Sequence, residues 1–179
     1  VVDYLRRCIR FFRNAGITYL KIDFLRAGTL SGLGKVPMSA YERFHRCLSA
    51  LREEAGADCY ILGCSAEFAP CIGHVDGMRV GPDISPKFED VRKSAHCCMA
   101  SAHLHRKVYQ CDPDYLIVRG EGMEDEEVSP SGAKHSTLTH SEAELWANFA
   151  VMTGNAVLSS DKLPLLSHDR KNLVASAFE

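Results

Sequence analysis

Two short segments of the sequence each place a basic residue shortly before an aspartate. Lys21 lies two residues before Asp23, and Arg79 lies four residues before Asp83. Paired carboxylates suit glycoside hydrolysis, in which one ionised carboxylate attacks the anomeric carbon and the other carboxyl group protonates the leaving oxygen. Lys21 would favour the ionised form of Asp23, whereas Asp83 would need an apolar or less cationic setting to keep its proton.

The segment around Asp23 predicts a fully buried β-strand over residues 17–25, since it is apolar apart from Lys21 and Asp23. Side chains alternate faces along a strand, so these two charges are expected on one face. Buried charges must be paired or functional, because an unpaired buried charge is very costly. A structural ion pair and a catalytic pair both remain open from this segment alone.

Strands and helices alternate along the rest of the chain. Helical periodicity and capping residues predict five helices. The first ends at Gly16, the second runs from Ser39 to Gly56, and the third covers about 89–108. The fourth starts at a Ser141/Glu144 capping box and ends at Gly154, and the fifth starts at about His168. Short apolar runs predict strands at 17–25, 58–63, 77–80, 115–118 and 156–159. A glycine-rich loop (26–38) and a long acidic loop (119–139) complete the chain, and the first is expected to be a substrate loop.

This alternation predicts an α/β fold with parallel strands. A doubly wound sheet and part of an eight-stranded barrel are the two architectures to separate. No Gly-x-Gly-x-x-Gly follows a strand, which weakens the dinucleotide-binding alternative. Polar residues instead gather at or beyond the strand ends, where the active site of a barrel is built. They are Asp23, Cys64, Ser65, Arg79, Asp83 and Asp161.

Composition sets broad limits on the function. The 179 residues correspond to one domain, and a formal net charge of −2 argues against a nucleic-acid partner. No apolar run reaches membrane-spanning length, so no membrane association is expected. The eight cysteines form no spaced framework, which favours reduced thiols and a cytoplasmic location. The chain begins with Val1, inside a predicted helix, so the absence of a signal peptide from these residues proves little about location.

Several segments together resemble the α-galactosidase clan of glycoside hydrolases, families 27 and 36, which includes the melibiases. Residues 19–24 resemble the nucleophile strand of that clan, and Arg79 with Asp83 resembles its acid/base element. Cys64 and Ser65 stand where family 36 has a Cys-Ser pair. The segments 112–116 and 141–161 resemble the elements around the seventh and eighth barrel strands. The resemblance covers nearly the whole chain in the same order.

The resemblance implies that residues 1–179 are a fragment of a (β/α)8 TIM barrel, comprising strands 4 to 8 and their flanking helices. It implies a retaining α-galactosidase acting on α-galactosides or oligosaccharides, with Asp23 as nucleophile and Asp83 as general acid/base. Lys21, Arg79, Cys64 and Ser65 would contact the substrate. The alternative is a non-catalytic carbohydrate-binding or scaffold segment that keeps the fold.

The resemblance implies no cofactor and no metal. The residues His96, Cys97, Cys98, His103 and His105 lack the spacing of a helical zinc motif, so we interpret them as interface thiols and solvent-facing histidines. Five strands leave open sheet edges, which we expect to pair with the other half of the barrel or with a second copy of the chain. The sequence leaves open whether the substrate sugar is galactose or N-acetylgalactosamine. It also leaves open whether the enzyme transfers the sugar to water or to another acceptor.

Overall fold

The computed structural model describes residues 1–29, 37–120 and 137–178, so most of the predicted glycine-rich loop and of the acidic loop lie outside the described residues. The chain divides into two compact units, one made of residues 1–79 with 106–110 and the other of residues 80–105 with 111–179. That residues 1–179 form a single domain stays a prediction.

The first unit contains three parallel strands with helices between them. Its elements are α1 (Val2–Asn14), β1 (Tyr19–Ile22), a 3-10 turn (Leu25–Thr29), α2 (Ala40–Ala55), β2 (Tyr60–Gly63), α3 (Phe68–Cys71) and β3 (Gly77–Arg79). The strand order is β1-β2-β3, with Ile22 opposite Gly63 and Gly63 opposite Met78. Because the strands are parallel, their carboxyl ends meet at one edge of the sheet. The predicted parallel α/β alternation is confirmed here.

Helix α2 is the best-specified element of this unit. Ser39 and Glu42 form a reciprocal capping box at its start, and Gly56, with φ of +78°, follows its end. Its buried face carries Phe44 and Leu48, each 2% exposed. The predicted bounds of this helix are therefore confirmed.

The prediction that the first strand is fully buried is wrong. β1 spans only residues 19–22, Tyr19 is 45% exposed, and Lys21 and Asp23 are both exposed. Within the described residues β1 pairs with β2 along one edge, so its other edge has no covering strand. The pairing of Lys21 with Asp23 is therefore not forced by burial.

The second unit packs helices around a small parallel pair of strands. Its elements are α4 (Phe88–Ser101), β5 (Tyr115–Leu116), α5 (His140–Thr153), β6 (Leu158–Ser159), a 3-10 turn (Leu163–Leu165) and α6 (His168–Ser176). β5 and β6 are parallel, with Tyr115 opposite Leu158. The short strand β4 (Gln110–Asp112) contains the boundary between the units. Trp146 is 1% exposed in the core, and its indole N–H donates to the carbonyl oxygen of Tyr115 at 3.1 Å.

Two helix boundaries and two short elements differ from the sequence prediction. Helix α4 ends at Ser101 and not near residue 108, and the chain continues in hydrogen-bonded turns from Ser101 to His105. No glycine or proline marks this end. The capping box of α5 is Thr139 with Glu142, two residues before the predicted Ser141 pair. The four residues of α3 and the three of β4 are too few to show a helical or strand period in the sequence.

The described helices are each too short or too polar to cross a bilayer. The helices and strands that these residues form make an α/β fold with short parallel strands.

Candidate active site

Asp23 lies directly after the end of β1. Its Oδ1 accepts a hydrogen bond from the backbone N–H of Phe24 at 2.6 Å, and the side chains of Ser65 and Cys64 also donate to its carboxylate. Partial burial is the largest single influence and raises the pKa of Asp23, but these three hydrogen bonds and the charge of Lys21 outweigh it. The net pKa of Asp23 is lowered, so its carboxylate is ionised at neutral pH.

The backbone around Asp23 is held in an uncommon conformation. Phe24 has φ of +56° and Ser65 has φ of +47°, the left-handed region that non-glycine residues rarely adopt. The turns that follow β1 and β2 are hydrogen-bonded to each other, since Arg26 N donates to the carbonyl oxygen of Ser65 at 2.6 Å and Cys64 N donates to that of Ile22 at 2.9 Å. Strain of this kind persists only where the surroundings fix it, and it clusters at functional sites.

Two cations and a thiol complete the group around Asp23 in the first unit. Lys21 on β1 interacts electrostatically with Asp23, and buried Arg79 at the end of β3 interacts with Cys64. Burial is the main cause that raises the pKa of Cys64, and the neighbouring Asp23 adds to it while Arg79 opposes it. Cys64 is therefore a neutral thiol that can donate to the carboxylate, and it is not a thiolate nucleophile.

Asp83 lies on an exposed segment of the second unit that is anchored on both sides. Val80 N donates to the carbonyl oxygen of Asp112 at 3.0 Å, and Ile84 N donates to Oδ2 of Asp114 at 2.9 Å. Asp112 Oδ1 in turn accepts from Asp114 N at 2.9 Å. These two aspartates therefore brace the backbone on either side of Asp83.

The same segment packs against α4 at Gly81. A Cβ atom on Gly81 would lie 2.8 Å from Oγ of Ser94 and 3.3 Å from its Cα. The Ser94 hydroxyl donates to the carbonyl oxygen of Pro113, so it cannot turn away without losing that bond. Gly81 is thus required by the close approach of α4, which places the backbone before Asp83. Ser94 was not found from the sequence, which carries no signal for this contact.

Asp161, predicted among the polar strand-end residues, has a structural role in the second unit. Its side chain is fully buried, Oδ1 accepts from Nη1 of Arg119 at 2.8 Å, and Oδ2 accepts from Val118 N at 2.7 Å. Nearby, buried Arg170 donates to the carbonyl oxygens of Val118 and Leu138. This network supports the backbone after β5, and both carboxylate oxygens of Asp161 are occupied by hydrogen bonds within it.

A cleft of about 470 Å³ borders Asp23 in the first unit. Lys21 and Asp23 stand at its polar side, but apolar side chains of α1, β1 and α2 form most of its lining, including Leu5, Ile9, Phe12, Ile22, Phe44 and Leu48. Sugar hydroxyls need several polar partners, and this lining supplies only the charged groups of Lys21 and Asp23. The cleft is better suited to receive apolar side chains than to bind a sugar.

The histidines and cysteines around residues 96–105 do not form a metal centre. Across the described ranges, no three His, Cys, Asp or Glu side chains converge as a metal site would require. His105 Nδ1 accepts a hydrogen bond from Cys111 N at 3.1 Å, while His96 and His103 are exposed.

The structure thus brings together five of the six predicted site residues. Asp23, Cys64 and Ser65 are hydrogen-bonded, with Lys21 and Arg79 in electrostatic contact with the group. Asp83 belongs to the other unit, and its role stays a prediction.

Solved structures with the same fold were found by comparison. An α-galactosidase from Thermus thermophilus, in complex with stachyose, is 26% identical with a TM-score of 0.72, and the match covers 99% of this chain and 38% of that enzyme. A GH27 β-L-arabinopyranosidase from Geobacillus stearothermophilus is 14% identical with a TM-score of 0.74, over 98% of this chain and 40% of that one. An isomalto-dextranase from Arthrobacter globiformis, complexed with panose, is 14% identical with a TM-score of 0.63, over 99% and 31%.

No protein-family model matches the sequence. The chain spans less than half the length of the solved structures it matches. Over nearly all of its own length, the chain resembles α-galactosidases and related glycoside hydrolases.

Proposed function

We propose that this chain is part of a retaining glycoside hydrolase of α-galactosidase type, and that it carries both catalytic carboxylates. The observation that carries the proposal is the environment of Asp23, a carboxylate at a strand end that is kept ionised by three hydrogen bonds and a nearby lysine. A nucleophile in such a reaction must be ionised and fixed in direction, and both conditions are met at this residue.

In the proposed mechanism Asp23 attacks the anomeric carbon while Asp83 protonates the leaving glycosidic oxygen. The C–O bond to the leaving group breaks as the bond between carbon and the Asp23 carboxylate forms. Water then attacks the anomeric carbon with Asp83 acting as general base, which releases the sugar and restores Asp23. This sequence requires the two carboxyl groups to lie about 5–5.5 Å apart.

Lys21 and Arg79 would donate hydrogen bonds to sugar hydroxyls in this scheme, with Cys64 and Ser65 lining the same region. A terminal α-galactoside is the proposed substrate, in keeping with the match to the α-galactosidase in complex with stachyose. The matches to an arabinopyranosidase and an isomalto-dextranase show that one fold serves several sugars, so the fold by itself does not fix the sugar.

We further propose that residues 1–179 form strands 4 to 8 of a (β/α)8 barrel in the parent protein. The uncovered edge of β1 and the apolar cleft beside it would then meet the other strands of the barrel, or a second copy of the chain. An apolar lining suits this contact better than it suits a sugar.

A trapping experiment on the full-length protein tests the proposal directly. A 2-deoxy-2-fluoro-α-galactosyl fluoride should leave one covalent sugar on the peptide that contains Asp23, as read by peptide mass spectrometry. Asp23→Asn and Asp83→Asn should each lower the hydrolysis of p-nitrophenyl-α-galactoside by at least about a thousandfold, since each removes an essential group.

Asp58→Asn is the matched control. Asp58 is an exposed aspartate of the same unit, ion-paired with Arg13 before the start of β2, at the opposite end of the parallel strands. This variant should keep full activity. Sugar binding without turnover in the wild-type protein, or turnover unchanged by both Asn substitutions, would instead favour the non-catalytic carbohydrate-binding role.

A further inference from the structure

Two histidines of the first unit, one on a helix and one in the segment before β3, approach each other. His45 lies on α2, and His74 lies between α3 and the start of β3 at Gly77. Their Nε2 atoms are 3.0 Å apart, and the ring centroids are 4.6 Å apart with the ring planes at 82°. At this separation one Nε2–H donates a hydrogen bond to the other Nε2, so the two nitrogens face each other across a shared proton.

From this geometry we propose that His45 and His74 form a two-histidine site for a divalent transition-metal ion. Two nitrogens bound to one tetrahedral ion at about 2.0–2.1 Å lie about 3.3–3.4 Å apart. The observed separation of 3.0 Å is close to that value, so a small rotation of the exposed His45 ring would admit the ion. Imidazole nitrogen is a preferred ligand of zinc, copper and nickel.

The surroundings hold one of the two ligands in place. His74 N donates to the carbonyl oxygen of Cys71 at 3.0 Å, and the carbonyl oxygen of His74 accepts from Nε of Arg52 at 3.0 Å. These two bonds fix the backbone of His74 between α3 and β3, so its ring is held on a defined segment of the chain.

The site would provide two protein ligands, with water completing the coordination. No further His, Cys, Asp or Glu joins the pair among the residues that the structure describes. Because the pair joins α2 to the segment before β3, a bound ion would link two elements that are far apart in sequence. Such a link would stabilise the first unit.

Nickel is the probe of choice, because imidazole nitrogen binds it well. Mg²⁺ prefers oxygen ligands and serves as the negative control. Calorimetric titration of the full chain with NiCl2, in the presence of a phosphine reductant, should give one site per chain in the micromolar range. His45→Gln and His74→Gln should each weaken binding at least tenfold, whereas His96→Gln, at an exposed histidine of α4, should leave it unchanged.

A second measurement needs no variant. Paramagnetic Ni²⁺ should broaden the imidazole NMR signals of His45 and His74 at substoichiometric addition, before those of His96 and His103. The proposal is overturned if nickel does not bind below the millimolar range, or if binding persists at full strength in both Gln variants, or if other histidines broaden first.

Discussion

Replacing Gly81 by alanine tests whether the segment that carries Asp83 is fixed by its contact with α4. The new Cβ would lie 2.8 Å from Oγ of Ser94, well inside contact distance. Overpacking of this kind costs about 1–3 kcal/mol. The loss of glycine's freedom in the unfolded chain offsets about 0.4–1 kcal/mol. The net expectation is a loss of about 1.3 kcal/mol in the free energy of unfolding at the midpoints of these ranges, and of about 2.6 kcal/mol at most.

The Ser94→Ala variant separates the clash from other effects. Alone, it removes the hydrogen bond to the Pro113 carbonyl oxygen and should cost about 1 kcal/mol. With Oγ gone, the nearest atoms to the new methyl group are the Cα and Cβ of residue 94, at 3.3 and 3.4 Å. Gly81→Ala should then be close to neutral, so the double-mutant cycle should show a coupling of about 1 kcal/mol or more, beyond the additivity limit of about 0.3–0.5 kcal/mol.

Urea unfolding followed by tryptophan fluorescence suits this cycle. Trp146 is the single tryptophan of the chain and lies in the core of the same unit as Gly81 and Ser94. Met152→Ala, at a position 85% exposed on α5, is the control and should change stability by less than about 0.5 kcal/mol. If Gly81→Ala costs the same with serine and with alanine at position 94, the packing argument for this segment is wrong.

Two further predictions concern single groups. Ser65→Ala removes a hydrogen bond to the Asp23 carboxylate and should raise the pKa of Asp23, as measured by carboxylate NMR titration; an unchanged pKa would refute the assigned bond. Because the pKa of Asp23 is lowered in the folded chain, its contribution to stability is present above the unfolded value of about 3.9 and is lost as the pH falls through the folded value. Thr139→Ala removes the N-cap of α5 and should cost about 1 kcal/mol in the free energy of unfolding. Ser141→Ala, at the cap position predicted from sequence, should cost less than about half of that. If thermal unfolding gave the reverse order, the Thr139 capping box would be contradicted.

The α/β alternation and most helix ends could be predicted because local chemistry specifies them. Ser39 with Glu42 satisfies the backbone donors at the start of α2 whatever lies beyond, and Gly154 takes the left-handed conformation, with φ of +62°, that ends α5. Where the local signal was missing or duplicated, the prediction failed. Thr139 and Ser141 are both plausible caps three residues before a glutamate, and in the structure α5 begins after Thr139, next to the buried Leu138.

The candidate site could be located from sequence as polar residues beyond strand ends, but its construction could not. The spacing of Lys21 and Asp23 indicated a pair, whereas the donors that keep Asp23 ionised come from Cys64 and Ser65, some forty positions later in the chain. Those donors reach Asp23 because two left-handed turns pair beyond the parallel strands β1 and β2. No local pattern encodes a left-handed Phe24.

The sequence by itself determined the order of strands and helices and the residue types available for carbohydrate chemistry, since each depends on neighbours along the chain. The need for glycine at position 81 comes instead from its tertiary contact with Ser94 on α4. Tertiary structure decided which polar groups serve the site and which serve the fold: Asp161 and Arg170 are committed to backbone groups, and His45 meets His74 across twenty-nine positions. The physical reason is that the protonation state and binding capacity of a side chain depend on distances of about 3 Å, which only the folded chain sets.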